Sequence, residues 1–319
     1  PATGWIAAAL LVSAPAWTFA AHFNSLDITV AGLLAAVLAS FLLAFAPATG
    51  PTAERRWLLA CWALMALAVL AKGLIGLVLP GLALASYRFV SGQWPGAGRL
   101  QWRAGLVTFV VIATPWFVIV SLRNPEFPAF FFIHEHFQRF MTTVHHRVGP
   151  IWYFVPIVFL GGLPWTLVAL VARHRSPGGH GESLLGAISA WRRRTNTDLR
   201  PGLLCACWAG SIFAFFSLSS SKLPGYILPV IPALALLAAP LVARLPARRW
   251  QGLLAAFAAF ALVLAAVAWP VEAQLLRRPA LAELPHQRWL WVSGAGLVAL
   301  IGALLARRLA DPTQRAVSA

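Results

Sequence analysis

Long apolar runs recur along the chain and are separated by short polar connections. A helix of about 20 apolar residues crosses the hydrocarbon core of a bilayer, which is about 30 Å thick. The pattern therefore predicts an all-α fold, a polytopic transmembrane helical bundle of about ten spans. The predicted spans cover residues 4–21, 28–46, 57–70, 74–89, 104–121, 151–171, 202–217, 224–242, 250–270 and 289–306.

Two of these predictions depend on helix-breaking residues. The third and fourth spans could form one long helix broken around Lys72-Gly73, but two separate spans keep the charged connections in alternation. The eighth span contains Pro224, Pro229 and Pro232. We expect these prolines to kink it and to free backbone carbonyls beside an enclosed cavity.

Composition supports a membrane protein and orients it. The 319 residues are 60% hydrophobic and 11% charged, with a mean hydropathy of +0.76, whereas soluble domains are about a quarter charged. Of the 25 Lys and Arg residues, 17 lie in one set of alternating connections and 8 in the other. The positive-inside rule makes the richer side cytoplasmic. These arginine clusters are typical of cytoplasmic loops and of contacts with lipid phosphate. No nucleic-acid motif accompanies them, so nucleic acid is not a predicted partner.

The domain organisation follows from the same pattern. Residues 1–308 are predicted to form one transmembrane domain, with a flexible basic loop at 172–201 on the cytoplasmic side, and 309–319 form a cytoplasmic tail. The chain begins at Pro1 within an apolar run, so we expect its N-terminal part to be incomplete. The three cysteines lack metal-ligand spacing and are predicted to be buried packing residues. They are Cys61, Cys205 and Cys207.

The outer loop at 122–150 combines aromatic, charged and histidine side chains. Helical spacing of its phenylalanines and an i,i+4 pair of Glu135 with Arg139 predict an interfacial amphipathic helix on the outer face. A connector without any site is the alternative. The histidines could ligate metal, transfer protons or donate to phosphate. They are His134, His136, His145 and His146.

Three further polar residues lie at the predicted outer ends of apolar spans. Lys72 and Lys222 each have a glycine or proline beside them, and an ionisable residue at membrane depth favours a functional site over a lysine that reaches to the interface. Asp27 is the one aspartate on this side. It could act chemically, or cap a helix that starts at Ile28, or do both.

Several runs in this order resemble a known family. They are Asn24-Ser-Leu-Asp27, Ala71-Lys-Gly-Leu-Ile-Gly76, Phe131-Phe-Ile-His-Glu-His-Phe-Gln-Arg139, His145-His-Arg147, Gly149-Pro150 with Trp152-Tyr153, and Ser221-Lys-Leu-Pro-Gly-Tyr-Ile-Leu-Pro229. Together they resemble the aminoarabinose–lipid A transferases and the protein O-mannosyltransferase type of membrane glycosyltransferase (GT-C, families 39 and 83). The resemblance covers about residues 1–240.

The resemblance implies a glycosyltransferase that moves a sugar from a polyprenyl-phosphate donor to an acceptor at the periplasmic face of the bacterial inner membrane. The acceptor would be a lipid A-like lipid, another glycan or a protein. From the resemblance we expect the family's main catalytic acid on a loop upstream of these residues, and its large C-terminal soluble domain outside them. A flippase or transporter of lipid-linked sugar is the alternative function, although transporters often show two related halves, and none are visible here.

Because the leaving phosphate gains negative charge, fixed cations should stabilise the transition state. The candidate groups for binding the donor phosphate are Lys72, Arg139, His145, His146, Arg147, Lys222 and Tyr226. Asp27 and Glu135 are the candidate catalytic carboxylates. No cofactor is required by this scheme, but Asp27 with His134 and His136 could hold a divalent metal, either Zn or Mg/Mn.

Overall fold

The computed structural model describes residues 2–22, 25–92, 97–131, 149–163, 165–167 and 199–243. All of them fall in the first of two compact units, Pro1–Ala243, and the second unit is Arg244–Ala319. Within the described residues the regular structure is helical and contains no strand. The helices are α1 Ala2–Val12, α2 Pro15–Ala21, α3 Leu26–Ala44, α4 Pro51–Lys72, α5 Ile75–Ser91, α6 Trp102–Arg123, α7 Phe154–Gly161, α8 Pro201–Leu218 and α9 Val230–Ala243, with 3₁₀ turns at Ala97–Leu100 and Pro224–Ile227.

Each predicted span that falls in the described residues overlaps a helix, which confirms the all-α prediction there. By length and composition, α3, α6 and α8 could each cross a membrane alone, and the bent pair of α1 and α2 would make a fourth crossing. The predicted spans 250–270 and 289–306 lie outside the described residues. The total of ten therefore stays a prediction.

The first predicted span is wrong in one respect, because 4–21 is broken. The axes of α1 and α2 differ by 62° across Ser13 and Ala14. Pro15 has no amide hydrogen and starts α2. The Ser13 hydroxyl donates to the Ala9 carbonyl at 2.5 Å and accepts from Trp165 Nε1 at 2.8 Å. These side-chain bonds hold the break together where the backbone ladder is interrupted.

Helices α4 and α5 are two elements, as predicted. Gly73 ends α4 with a φ of 85°, in a region that side chains disfavour. After the turn, α5 packs back on α4 so closely that a Cβ on Gly76 would lie 2.6 Å from the Val69 nitrogen. Likewise, a Cβ on Gly105 would overlap the Trp62 ring, so α6 also contacts α4 closely.

The proline-rich stretch before α9 differs from the prediction. Pro224 opens a 3₁₀ turn and α9 starts only at Val230, so the break precedes the helix and is not a kink within it. The Pro229 carbonyl accepts a buried hydrogen bond from Trp208 Nε1 at 3.1 Å. This bond satisfies a backbone oxygen that would otherwise be costly at membrane depth.

The buried core lies between α3, α4, α5 and α8, and it includes all three cysteines, as predicted. By contrast, α6 exposes a face of large apolar side chains. They include Leu106, Val107, Val111, Ile119 and Leu122. An apolar face of this kind suits contact with lipid.

The helix ends place different charges at the two ends of the bundle. We call the end that carries Asp27, Lys72 and Lys222 the lysine end. The opposite end, where α4 and α6 begin and α5 finishes, is the arginine end, and its arginines are Arg55, Arg56, Arg88, Arg99, Arg103 and Arg200.

Candidate active site

An ion pair between Asp27 and Lys72 joins α3 to α4 at the lysine end. Lys72 Nζ donates to Asp27 Oδ1, and the two side chains are 22% and 21% exposed, respectively. Asp27 lies in the first turn of α3, and Ser25 occupies the N-cap position. The cap interpretation of Asp27 is therefore wrong, because the helix starts two residues earlier than expected.

The Pro224–Ile227 turn covers this pair. Lys72 Nζ lies 4.7 Å from the centroid of the Tyr226 ring, which is within cation–π range. A Cβ on Gly225 would lie 2.7 Å from Asp27 Oδ2. The absence of a side chain at Gly225 thus lets the turn approach the carboxylate closely. Sequence reasoning did not identify this role of Gly225, although the residue stands in the run that carries the family resemblance.

Lys222 has a different environment from Lys72. Its side chain is buried, and its Nζ donates to the Ser217 and Ser219 carbonyls at 2.8 Å each. An ammonium has three donors, so these bonds use two of them. Burial lowers the pKa of Lys222 below its ordinary value of 10.5. Within the described residues Lys222 has no carboxylate partner, so no described side chain compensates its positive charge.

Two buried hydroxyls accompany this lysine. The Oγ atoms of Ser217 and Ser221 have no hydrogen-bond partner in the described part of the chain. Gly149 approaches from the end of the outer loop, since a Cβ there would lie 3.0 Å from Lys222 Cδ. The sequence signal that could have identified the serines is the Ser219-Ser-Ser-Lys222 run itself.

Aromatic rings connect the two lysine environments. The Tyr226 ring centroid lies 5.3 Å from that of Phe216, and Phe216 lies 6.4 Å from Phe154. Phe154 in turn lies 5.0 Å from Tyr153, and its own side chain is fully buried. This row of rings packs the Pro224–Ile227 turn against α7 and α8.

Of the predicted site residues, the structure therefore brings together Asp27, Lys72 and Tyr226, and it places Lys222 on the adjoining loop. The other predicted residues lie outside the described residues, and so does the predicted amphipathic helix from residue 132 onward. They are His134, Glu135, His136, Arg139, His145, His146 and Arg147. Among the residues that are described, no three His, Cys, Asp or Glu side chains form a metal site. The divalent-metal site is therefore still a prediction.

Known proteins resemble this chain along most of its length. An undecaprenyl phosphate-alpha-4-amino-4-deoxy-L-arabinose arabinosyl transferase of Pseudomonas aeruginosa PAO1 is 33% identical over 271 residues, 81% of this chain and 44% of that protein. A transferase of the same name, numbered 1, from Pseudomonas fluorescens Pf0-1 is 31% identical over 258 residues, covering 78% of this chain and 41% of that protein. No family model matches the chain.

The solved structures decide the relationship. The crystal structure of ArnT from Cupriavidus metallidurans bound to undecaprenyl phosphate is 40% identical and has a TM-score of 0.72, over 97% of this chain and 53% of that one. Its apo structure gives a TM-score of 0.69 at the same identity. The chain is a relative of the aminoarabinose transferases. The resemblance seen in the sequence is thus confirmed, and so is the multi-pass membrane fold of this GT-C type.

The chain spans about half the length of the family members that it matches. Within that half, the ion pair of Asp27 with Lys72 and the turn that carries Tyr226 lie together at one end of the bundle. These relatives are named as transferases, which does not favour the flippase or transporter alternative.

Proposed function

We propose that the protein carrying this chain is a glycosyltransferase that moves a sugar from a polyprenyl-phosphate carrier to an acceptor. The observation that carries this proposal is the Asp27–Lys72 pair, held beneath the Pro224–Ile227 turn in a chain of this family. The relatives' names make undecaprenyl phosphate-linked aminoarabinose the donor to test first. A lipid A-like lipid is the leading acceptor class, ahead of other glycans and proteins.

The reaction requires one bond to form and one to break. The acceptor oxygen bonds to the anomeric carbon, and the bond from that carbon to the phosphate oxygen breaks. The acceptor proton must leave, and polyprenyl phosphate departs with an additional negative charge. A carboxylate suits the first task, and fixed cations suit the second.

Among the described carboxylates we assign Asp27 to orient the acceptor or accept its proton, beside the main catalytic acid that the family resemblance implies on a loop upstream. Lys72 orients Asp27 through the ion pair, and the Tyr226 ring limits where the ammonium can lie. Because Asp27 largely neutralises Lys72, we assign the leaving phosphate mainly to Lys222, whose charge has no described counterion. The predicted cations of the outer loop, Arg139 and Arg147, would add to it.

The lysine end would face the periplasm and the arginine end the cytoplasm of a bacterial inner membrane. The basis is the uneven distribution of Lys and Arg between the alternating connections, 17 against 8. A divalent metal held by Asp27, His134 and His136 belongs to the same proposal, and no step above depends on it.

The test uses the full-length protein in membranes with undecaprenyl phosphate-linked aminoarabinose. We expect Asp27→Asn to reduce sugar transfer at least about a hundredfold, the scale of general-base catalysis. Lys72→Met should reduce it less, and the double variant should be no slower than Asp27→Asn, because Lys72 acts through Asp27. Glu126→Gln is the matched control, since Glu126 is an exposed acid near the same end. Normal transfer by Asp27→Asn at normal expression would refute this role.

A further inference from the structure

An apolar cavity lies away from the proposed active site, towards the arginine end. It has a volume of about 110 Å³ between α3, α4, α5 and α8, and only apolar, cysteine and tryptophan side chains and glycine line it. Trp62 and Leu100 both line the cavity. The indole nitrogen Nε1 of Trp62 donates to the Leu100 carbonyl at 3.1 Å. Apolar cavities of about 150 Å³ stay dry and bind hydrocarbon.

The exposed residues of the lining mark where the cavity opens. Trp102 in the first turn of α6 is 48% exposed, and Leu77 and Gly81 on α5 are exposed as well. Leu100 and Leu58 line the same side, on the 3₁₀ turn and on α4. The part of the opening at Trp102 lies near the starts of α4 and α6, which carry Arg55, Arg56 and Arg103.

Three arginines next to this opening are exposed, and no hydrogen bond or ion pair engages them within the described residues: Arg55, Arg56 and Arg103. Arg55 and Arg56 precede Leu58 by less than one helical turn, and Arg103 follows Trp102 directly. Arg99 is different, because it already pairs with Glu54 through two bonds of 3.0 and 2.8 Å. That pair fixes the turn before α6 against α4 and leaves the other guanidinium groups for an external anion.

We infer that this cavity and the three arginines form a binding site for an anionic glycerophospholipid. The end of one acyl chain occupies the cavity, and the headgroup phosphate lies between the guanidinium groups of Arg55, Arg56 and Arg103. Guanidinium binds phosphate through paired hydrogen bonds, and exposed tryptophan suits the headgroup level. The positive-inside rule assigns this lipid to the cytoplasmic leaflet. The site is separate from the sugar-transfer chemistry.

The test measures thermal unfolding of the purified full-length protein in neutral detergent with added phosphatidylglycerol or phosphatidylcholine. We expect phosphatidylglycerol to raise the Tm and phosphatidylcholine to raise it far less. The charge variant replaces all three arginines by glutamine and should weaken the apparent affinity for phosphatidylglycerol at least tenfold. Equal stabilisation by both lipids, or an unchanged response of the charge variant, would overturn the inference.

Gly81→Leu tests the cavity itself. Gly81 lines the cavity and a Cβ there meets no atom within 4 Å, so leucine can occupy the space without a clash at Cβ. This variant should lose the response to phosphatidylglycerol. Gly32→Leu is the control, because a Cβ on Gly32 also meets nothing within 4 Å and this residue does not line the cavity. If Gly81→Leu does not fold, the charge variant decides alone. The contrary result is one in which undecaprenyl phosphate raises the Tm of the unsubstituted protein but not of Gly81→Leu, while phosphatidylglycerol raises neither. That result would contradict the proposed ligand.

Discussion

Replacing Gly225 by alanine adds one methyl group directly above the Asp27 carboxylate. The new Cβ would lie 2.7 Å from Oδ2, 2.8 Å from Cγ and 2.9 Å from Cβ of Asp27. Gly225 is not among the positive-φ residues, so alanine brings no backbone strain of its own. The perturbation is therefore a local steric one, aimed at the carboxylate and the turn above it.

Its size follows from the contact distances. Ordinary van der Waals contact for a Cβ begins near 3.4 Å, so the carboxylate or the turn must move by about 0.7 Å. A displacement of about 1 Å at a catalytic group costs about a hundredfold in rate. We therefore expect Gly225→Ala to lower kcat about tenfold to a hundredfold. The KM for the polyprenyl-phosphate donor should change little, because the donor phosphate is assigned mainly to Lys222.

The assay is sugar transfer by the full-length protein in membranes, with expression measured alongside. Gly210→Ala is the matched control, since a Cβ on Gly210 meets nothing within 4 Å. In the Asp27→Asn background Gly225→Ala should have almost no further effect on kcat, since the group that it displaces no longer acts as a base. An unchanged kcat for Gly225→Ala, or a loss that persists undiminished in the Asp27→Asn background, would refute the reasoning.

Two further predictions concern the residues around the turn. Burial lowers the pKa of Lys222 below 10.5, so the rate of sugar transfer should fall as pH rises through that lowered value and the ammonium loses its proton. In a pH–rate profile, Lys222→Met should no longer show this fall at alkaline pH. Thermal stability of the unsubstituted protein should instead rise over the same pH range, since the unfolded state then binds more protons than the folded one; a fall would contradict the burial of the ammonium. Trp208→Phe leaves the Pro229 carbonyl without its 3.1 Å donor and should cost about 1–3 kcal/mol of unfolding free energy, seen as a lower Tm. Trp5→Phe, at a 78% exposed position, should leave the Tm unchanged.

Sequence patterns predicted the helices better than the breaks between them. The apolar run at 28–46 corresponds to Leu26–Ala44, and the glycine after Lys72 marked the turn between α4 and α5. The break between α1 and α2 was missed, because hydropathy stays high through Ser13 and Ala14 and a single proline is tolerated inside membrane helices. Hydropathy measures burial in lipid, whereas a bend depends on individual hydrogen bonds.

The candidate site shows the same limit. Sequence reasoning selected Asp27, Lys72 and Lys222 because ionisable residues are costly at membrane depth. It could not predict which of the lysines pairs with Asp27, since the partners are 45 positions apart and meet only because α3 and α4 pack antiparallel. The role of Gly225 is also invisible in sequence, because it depends on the absence of a side chain where a turn meets a distant carboxylate.

Helix termini explain how Asp27, Lys72 and Lys222 are stabilised at the lysine end with only one ion pair among them. Asp27 lies in the first turn of α3, where the helix dipole is positive, and Lys72 lies in the last turn of α4, where it is negative. Lys222 donates to Ser217 and Ser219, whose carbonyls lie at the C-terminal end of α8. Each of the three charges thus lies at a helix end of opposite sign. Such an interaction stabilises the folded protein by about 0.3–1 kcal/mol, and by more where the charge is partly buried.

This arrangement also separates the functions of the two lysines. The carbonyls at the end of α8 stabilise the Lys222 ammonium as dipoles and do not cancel its charge, whereas the Asp27 carboxylate does cancel that of Lys72. A phosphate that gains charge during transfer is therefore attracted more strongly by Lys222. Adding a second carboxylate next to Lys222 with Ser221→Asp should weaken this preference, lowering transfer while Asp27 and Lys72 remain intact. Ser221→Asn, which is similar in size but uncharged, should retain more activity, and equal losses in the two variants would show that charge is not the cause.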